Sequence, residues 1–237
     1  MKTEIPDKVT RVTPGIKLRT ALLLDEHGRI RSTREPQSQP GPLFTLIRSA
    51  SSCAWAVRAD VPAALGAELD RLAGEEPPFR NPQDAPLHAD TYLSLVGGEI
   101  VSGPGFTFPD EIARPADVTR VDSLQLLERN FRGWTAGEIL ERSPILAVID
   151  GGYPVSVCFC ARSSETAAEA GVETAAALRG RGFAPRVTAA WAAAIRASGR
   201  IPLYSTSWSN AASRAVARKL GLAQYASTWS LVGDLRP

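Results

Sequence analysis

The feature that most restricts how this chain can fold is the order of periodicities from Ile145 to the end. Ile145 to Ile149 precede the turn signal Asp150-Gly151-Gly152, after which Val155, Val157 and Phe159 alternate with Ser156, Cys158 and Cys160. Period-two alternation beside a glycine turn predicts a β-hairpin. The period then changes. Ala184, Val187, Trp191, Ala194, Ile195 and Ser198 share one face of a helix that begins near Gly182, takes Pro185 in its first turn and ends at Gly199. Ile201 to Trp208 reads as a strand with Pro202 at its start, Asn210 or Ser209 caps a helix through Val216 and Leu220 that stops at Gly221, and Tyr225 to Val232 makes a final strand.

The preceding residues are less regular. At 237 residues and 44% hydrophobic, the chain can fill one large domain or two small ones. Residues 1 to 17 are polar and without pattern, and Ser32 to Pro42 is a Pro- and Gln-rich connector. Strands are expected at Ala21 to Leu24, turning at His27-Gly28, and at Leu43 to Ile47, Cys53 to Val57 and Thr91 to Val96. A helix is expected after Asp60, with Asp60 as its cap, Pro62 in its first turn and Leu65, Leu69 and Leu72 as its core stripe. Phe106-Thr107-Phe108 alternates like a strand, Leu124 and Leu127 share a helical face, and Thr135 to Glu138 has the spacing of a capping box.

Composition excludes several classes of function. Basic and acidic residues nearly cancel, 27 against 25, so no summed field draws the chain to nucleic acid or anionic lipid. No apolar run approaches the roughly 20 residues that cross a bilayer, and residues 1 to 6 lack the apolar stretch of a signal peptide, which makes the cytoplasm the expected location. Cys53, Cys158 and Cys160 are too few for a disulfide scaffold. His27 and His88 lie far from the Cys158/Cys160 pair, so no metal is expected and the pair reads as buried thiols.

One segment reads two ways. Thr166 to Glu169 is a second capping box and Ala167 to Leu178 is rich in helix formers, yet Gly171, Val172 and Thr174 favour extended chain. Next comes Arg179-Gly180-Arg181-Gly182-Phe183-Ala184, directly before the long helix. Two glycines let backbone N–H groups approach an anion without interference from Cβ, and the helix N-terminus adds favourable charge, so phosphate is the natural guest. A dinucleotide fingerprint would need a third glycine where Pro185 stands, and a nucleotide-hydrolase loop would need a Gly-Lys-Ser/Thr ending.

Arg179 to Ala184 matches the pattern Arg/Gln-x-x-Gly-x-Gly/Ala of the GNAT superfamily, and the order of elements from Ile145 onward, including Asn210 after the penultimate strand, resembles that superfamily's C-terminal core. The resemblance implies an α/β fold with a mixed α+β sheet: an N-terminal α/β substrate-side domain over residues 1–143 and an acyl-CoA-binding core over 144–237. It makes 169–174 the fourth strand of the core, with backbone groups of Val172 and Thr174 on the pantetheine arm. Arg179, Gly180, Arg181, Gly182, Phe183 and Ala184 then surround the pyrophosphate, and Asn210 and Ser213 complete the cofactor set. The co-substrate is acetyl-CoA or another acyl-CoA.

Direct acyl transfer to an amine requires a neutral amine, a place for the developing oxyanion and protonation of the departing thiolate. Glu173 is the first candidate for base and Glu169 the second, both on the strand face away from Val172 and Thr174. The family commonly has a tyrosine four residues before the terminal glycine of the last helix, and this chain has Ala217 there. Tyr204, Tyr225, a serine near Ser207 or water is left for the acid role, or the cofactor thiolate leaves without specific help. The implied partner is a small-molecule or peptide amine, acting on a monomer or homodimer. The competing reading, suggested by Ala217, is a catalytically silent acyl-CoA-binding module.

Overall fold

The computed structural model describes residues 12–112 and 115–235. In chain order the elements are α1 (Pro14–Ala21), β1 (Leu22–Leu24), β2 (Ile30–Thr33), β3 (Phe44–Arg48), β4 (Cys53–Val57), α2 (Ala63–Gly74), α3 (Ala89–Val96), β5 (Glu99–Thr107), β6 (Val118–Val121), α4 (Ala136–Glu141), β7 (Ile145–Asp150), β8 (Tyr153–Ser163), β9 (Ala167–Thr174), α5 (Phe183–Ala197), β10 (Ile201–Ser205), α6 (Ala211–Lys219) and β11 (Ala223–Val232). Apart from the β1–β2 ribbon, the strands form one nine-stranded mixed sheet in the order β4-β3-β11-β5-β10-β9-β8-β7-β6. The division expected at residue 143 does not separate two sheets. β3, β4 and β5 pair, directly or in turn, with β11 and β10 from the far end of the chain.

Alternation along the strands decides which layer each face meets. Cys158, Cys160, Ala168 and Ala170 point towards α5, where Val187, Trp191, Ala192 and Ile195 bury their shared face. The same 3.6 periodicity that marked the helix in the sequence thus fills the core. On β3 and β11, Phe44, Leu46, Trp229 and Leu231 pack with Leu69 and Leu72 of α2 and Tyr92 and Val96 of α3. On the opposite face of these strands, Ile47 and Ala226 pack with Leu18 of α1 and Leu22 at the start of β1.

The doubtful segment 167–178 is β9 up to Thr174, paired antiparallel with β8 over seven positions, followed by a short 3-10 turn at Ala176–Leu178. Gly171 explains part of that choice, because a Cβ there would run into the Phe159 ring on β8. Sheet packing overrides the helix propensity of the flanking alanines and glutamates.

Several expectations are overturned. Residues 14–17, expected to be patternless, and Ala21, expected to open a strand, belong to α1, capped by the Thr13 hydroxyl accepting from Ile16 N, while residues 1–11 of that patternless stretch lie outside the described residues. Residues 91–96 are helical in α3. Its N-terminus is held from a distance by the Glu76 carboxylate, which accepts from Leu87 N, His88 N and the Tyr92 hydroxyl. That cap lies outside any local sequence window. Asp60 does not cap α2; it pairs with Arg58, leaving Pro62 at the N-cap position. The strand expected at 201–208 ends at Ser205. The capping box at Thr135 forms, with both reciprocal bonds present.

Candidate functional site

β9 and β10 run parallel but pair at only three positions, Ile201↔Ala167, Pro202↔Ala168 and Leu203↔Glu169. Beyond Leu203 the chain follows β5 instead, with Thr206 N donating to Pro104 O and Trp208 N to Ser102 O. Gly103 permits this crossing, since a Cβ at that position would collide with the Thr206 carbonyl. β9 meanwhile continues to Thr174 beside β8. The result is a parting of the sheet in which one edge of residues 170–174 lacks a strand partner. Unpaired backbone N–H and C=O groups along such an edge can pair with an extended ligand.

A cleft of about 920 Å³ opens at this parting. Its walls include Val172, Glu173 and Thr174 from β9, Tyr204 from β10, Asn210 and Ser213 at the start of α6, and Arg179, Gly180, Gly182 and Ala184 at the start of α5. Gly180 and Gly182 both have φ of 82°, the left-handed region that glycine adopts without strain. A Cβ on either would meet nothing within 4 Å, so open space lies in front of the turn. Gly182 is the N-cap of α5 and supplies no side chain, leaving the helix's first N–H groups free to point at an anion. Arg179, exposed at the cleft, donates through Nε to Thr174 O at 3.3 Å. The groove, the turn and the arginine fit a long ligand with a doubly charged phosphate end and a polar, extended arm.

Arg181, Phe183 and Glu169 lie outside this lining. Arg181 is exposed, and Phe183 packs at the edge of the α5 core. Asn130, Arg132, Ala170, Thr206 and Lys219 line the cleft without having been singled out in the sequence. Asn130 and Arg132 come from an irregular stretch between elements, so nothing in the local pattern brings them near β9. Lys219 follows from the helical spacing of α6, on the face it shares with Ala212, Ala215 and Val216.

Glu169 is committed to an ion network. Only 3% exposed, it accepts from Lys17 Nζ at 2.7 Å and from Arg162 at 2.9 Å, and Arg162 also pairs with Glu35 at 2.9 Å. Burial by itself would raise its pKa, but the charges of Lys17 and Arg162 outweigh that and hold it down to about 2. A carboxylate so stabilised is a poor proton acceptor. Glu173 stands on the same face, exposed at the cleft. Tyr204 is buried, with its hydroxyl 2.6 Å from Ser213 Oγ and 3.3 Å from Ser213 O, one helical turn before Ala217. Burial pushes the phenol pKa up, partly opposed by the Ser213 hydrogen bond. Among the described residues, no group of three or more His, Cys, Asp or Glu side chains is placed to hold a metal, and no helix is long and apolar enough to cross a membrane.

Fold and cleft together define a mixed α/β protein whose sheet parts between two parallel strands in front of a glycine turn. Residues 134–229 match the GNAT acetyltransferase family model. No curated protein matches the chain. Among solved structures, it is similar to a Novosphingobium aromaticivorans protein described as of the GNAT family (19% identity, 58% of this chain and 66% of that one, TM-score 0.48). It is also similar to a GNAT-family acetyltransferase from Colwellia psychrerythraea (13%, 76% of each chain, 0.47) and a GCN5-related N-acetyltransferase-like protein from Streptococcus suis (16%, 81% and 85%, 0.46). The chain spans just under two thirds of the first of these.

Proposed function

We propose that the protein is an acyl-CoA-dependent N-acyltransferase that moves an acetyl group from acetyl-CoA to an amine by direct transfer. The parting of β9 and β10 in front of the Gly180–Gly182 turn carries this reading. The N-terminus of α5 and Arg179 hold the pyrophosphate, and the free edge of β9 at Val172 and Thr174 pairs with the pantetheine amides. Asn210 and Ser213 line the other wall. In the reaction the amine nitrogen bonds to the acyl carbon and the carbon–sulfur bond breaks. The electron pair leaves on sulfur, and the nitrogen loses a proton.

In this reading two side chains handle protons. Glu173 is the carboxylate in the cleft lining, with no ion pair among the described residues, and it takes the amine's proton directly or through water. Glu173→Gln should lower kcat/KM at pH 7 about a hundredfold, the lower end of what a positioned base supplies, with coenzyme A affinity unchanged. Tyr204 stands in for the missing tyrosine at Ala217. With its pKa raised, the phenol stabilises the departing thiolate as a hydrogen-bond donor, and solvent completes the protonation. Tyr204→Phe should cut kcat by about tenfold to a hundredfold while leaving the Kd for coenzyme A in place. Equal kcat in the variant and the parent would remove Tyr204 from the reaction.

Thiol release from acetyl-CoA, followed with a thiol-reactive dye across a panel of amines, tests the reading as a whole. Turnover with at least one amine is expected. Tight coenzyme A binding without release for any amine would favour the silent binding module that Ala217 suggests.

A further inference from the structure

A second cavity, of about 380 Å³, lies on the α1 side of the sheet and shares Ser205 and Thr206 with the cleft. Those two residues stand where β10 has just left β9, so the two spaces meet at the parting itself. Alternation explains what lines the second one. On β3 and β11 the large apolar side chains Phe44, Leu46, Trp229 and Leu231 face α2 and α3, which leaves Thr45, Thr228 and Ser230 facing the cavity. Eight of its seventeen lining residues carry a hydroxyl. Thr45 Oγ1 and Ser230 Oγ are 3.0 Å apart, and the buried Thr228 Oγ1 has no hydrogen-bond partner among the described residues. Buried hydroxyls are ordinarily satisfied, so this row of donors and acceptors suits a ligand with polar groups of its own.

Charge narrows the ligand further. Among the described residues, the charged ones that line the cavity are Lys17 and Arg162, and both are bound to Glu169, with Arg162 bound in addition to Glu35. Two cations face two carboxylates, so the wall offers no unmatched charge to a second ammonium or to a carboxylate. The volume suits a small molecule.

We propose that this cavity holds the acceptor, and that the acceptor is a small hydroxylated amine of the amino-alcohol or amino-sugar class, with no charge beyond its reacting amine. The inference rests on the acyl-transfer reading above. The acceptor's hydroxyls lie along Thr45, Thr228 and Ser230, and its nitrogen reaches the thioester past Ser205 and Thr206. Nitrogen gains the acyl carbon, sulfur leaves with the electron pair, and the amine's proton passes to Glu173 or solvent.

Thiol release from acetyl-CoA is compared for 2-amino-1,3-propanediol and glucosamine against spermidine, glutamate and a lysine-containing peptide. At least tenfold higher kcat/KM is expected for the hydroxylated amines. The double variant Thr45→Val with Ser230→Ala removes a mutually bonded hydroxyl pair without leaving one partner stranded, so it should fold. It should raise KM for 2-amino-1,3-propanediol about tenfold and leave the calorimetric Kd for coenzyme A unchanged. Preference for spermidine, glutamate or the peptide overturns the proposal, as does a KM that the double variant does not move. Calorimetry of 2-amino-1,3-propanediol into the coenzyme A-loaded protein separates the two readings. Binding that the double variant weakens, without turnover of any amine, retains the cavity assignment and defeats acyl transfer, whereas turnover of other amines without such binding does the reverse.

Discussion

Replacing Gly182 by glutamate should lower the affinity for coenzyme A at least a hundredfold while leaving the protein folded. Two effects combine in this loss, and they can be separated. Gly182 has φ of 82°, and a non-glycine residue in that region costs about 1–2 kcal/mol, an amount the helix start can relieve only by moving. No atom lies within 4 Å of a Cβ built there, so alanine brings that strain and no collision. Gly182→Ala should therefore weaken binding by about tenfold or less. Glutamate adds a negative charge beside the pyrophosphate. Like charges about 5 Å apart at an effective dielectric constant of about 20 repel by roughly 3 kcal/mol, which is more than a hundredfold in Kd. The same charge is favourable to the N-terminus of α5 in the absence of ligand, by about 0.3–1 kcal/mol, and offsets part of the backbone strain. Thermal melting should thus stay within a few degrees of the parent protein. Titration calorimetry with coenzyme A decides the matter. An unchanged Kd in Gly182→Glu would mean that the turn is only a tight connection.

That turn was legible because its signal is local. Two glycines, an arginine and a helix start fall within six residues, and the chemistry of an anion turn follows from backbone conformation alone. The α5 stripe and the β7–β8 hairpin were legible for the same reason, since their periods repeat within a dozen residues. What sequence could not show is set by contacts between distant residues. α3 reads as a strand from Thr91 to Val96, yet the Glu76 carboxylate 12 residues before His88 supplies the cap that makes it a helix. The single sheet is another case, because β5 sits between β10 and β11 and joins residues 99–107 to a core that looked self-contained from Ile145. For the candidate site, the cleft lining around Val172–Thr174, the glycine turn and the start of α6 was readable from motif and order, apart from Arg181 and Phe183, which lie outside it. The second cavity was not. It is made from strands in both halves, and its hydroxyls appear in sequence only as the small polar residues between core positions. Glu169 shows the limit most sharply. In sequence it is the second of two candidate acids on a strand face, and Lys17, from a stretch with no pattern of its own, changes its chemistry.

Loss of the Glu169 side chain should accordingly register as a stability effect much larger than any surface acid would give. Glu169→Ala strips Lys17 of its partner in a place where Lys17 is only 4% exposed and leaves Arg162 with Glu35 alone. Breaking a buried ion pair from one side destabilises by about 3–5 kcal/mol, because the remaining charge stays out of water without compensation. Urea unfolding at pH 7 measures this directly, and a change within about 1 kcal/mol would show that Lys17 reaches solvent in the variant. Acid titration provides a second check with a definite sign. The folded-state pKa of Glu169, about 2, lies below its unfolded value of 4.5, so its contribution is complete above about pH 4.5 and disappears as pH falls through 2. That difference amounts to roughly 3 kcal/mol, which the parent protein should lose over this window and Glu169→Ala should not. Replacing Lys17 by methionine in the Glu169→Ala background should recover part of the stability, since it removes the stranded charge and keeps the apolar stem that packs against Gly105. If the double variant were no more stable than Glu169→Ala, the loss would lie in packing around β9, and the ion network would be a consequence of the fold there.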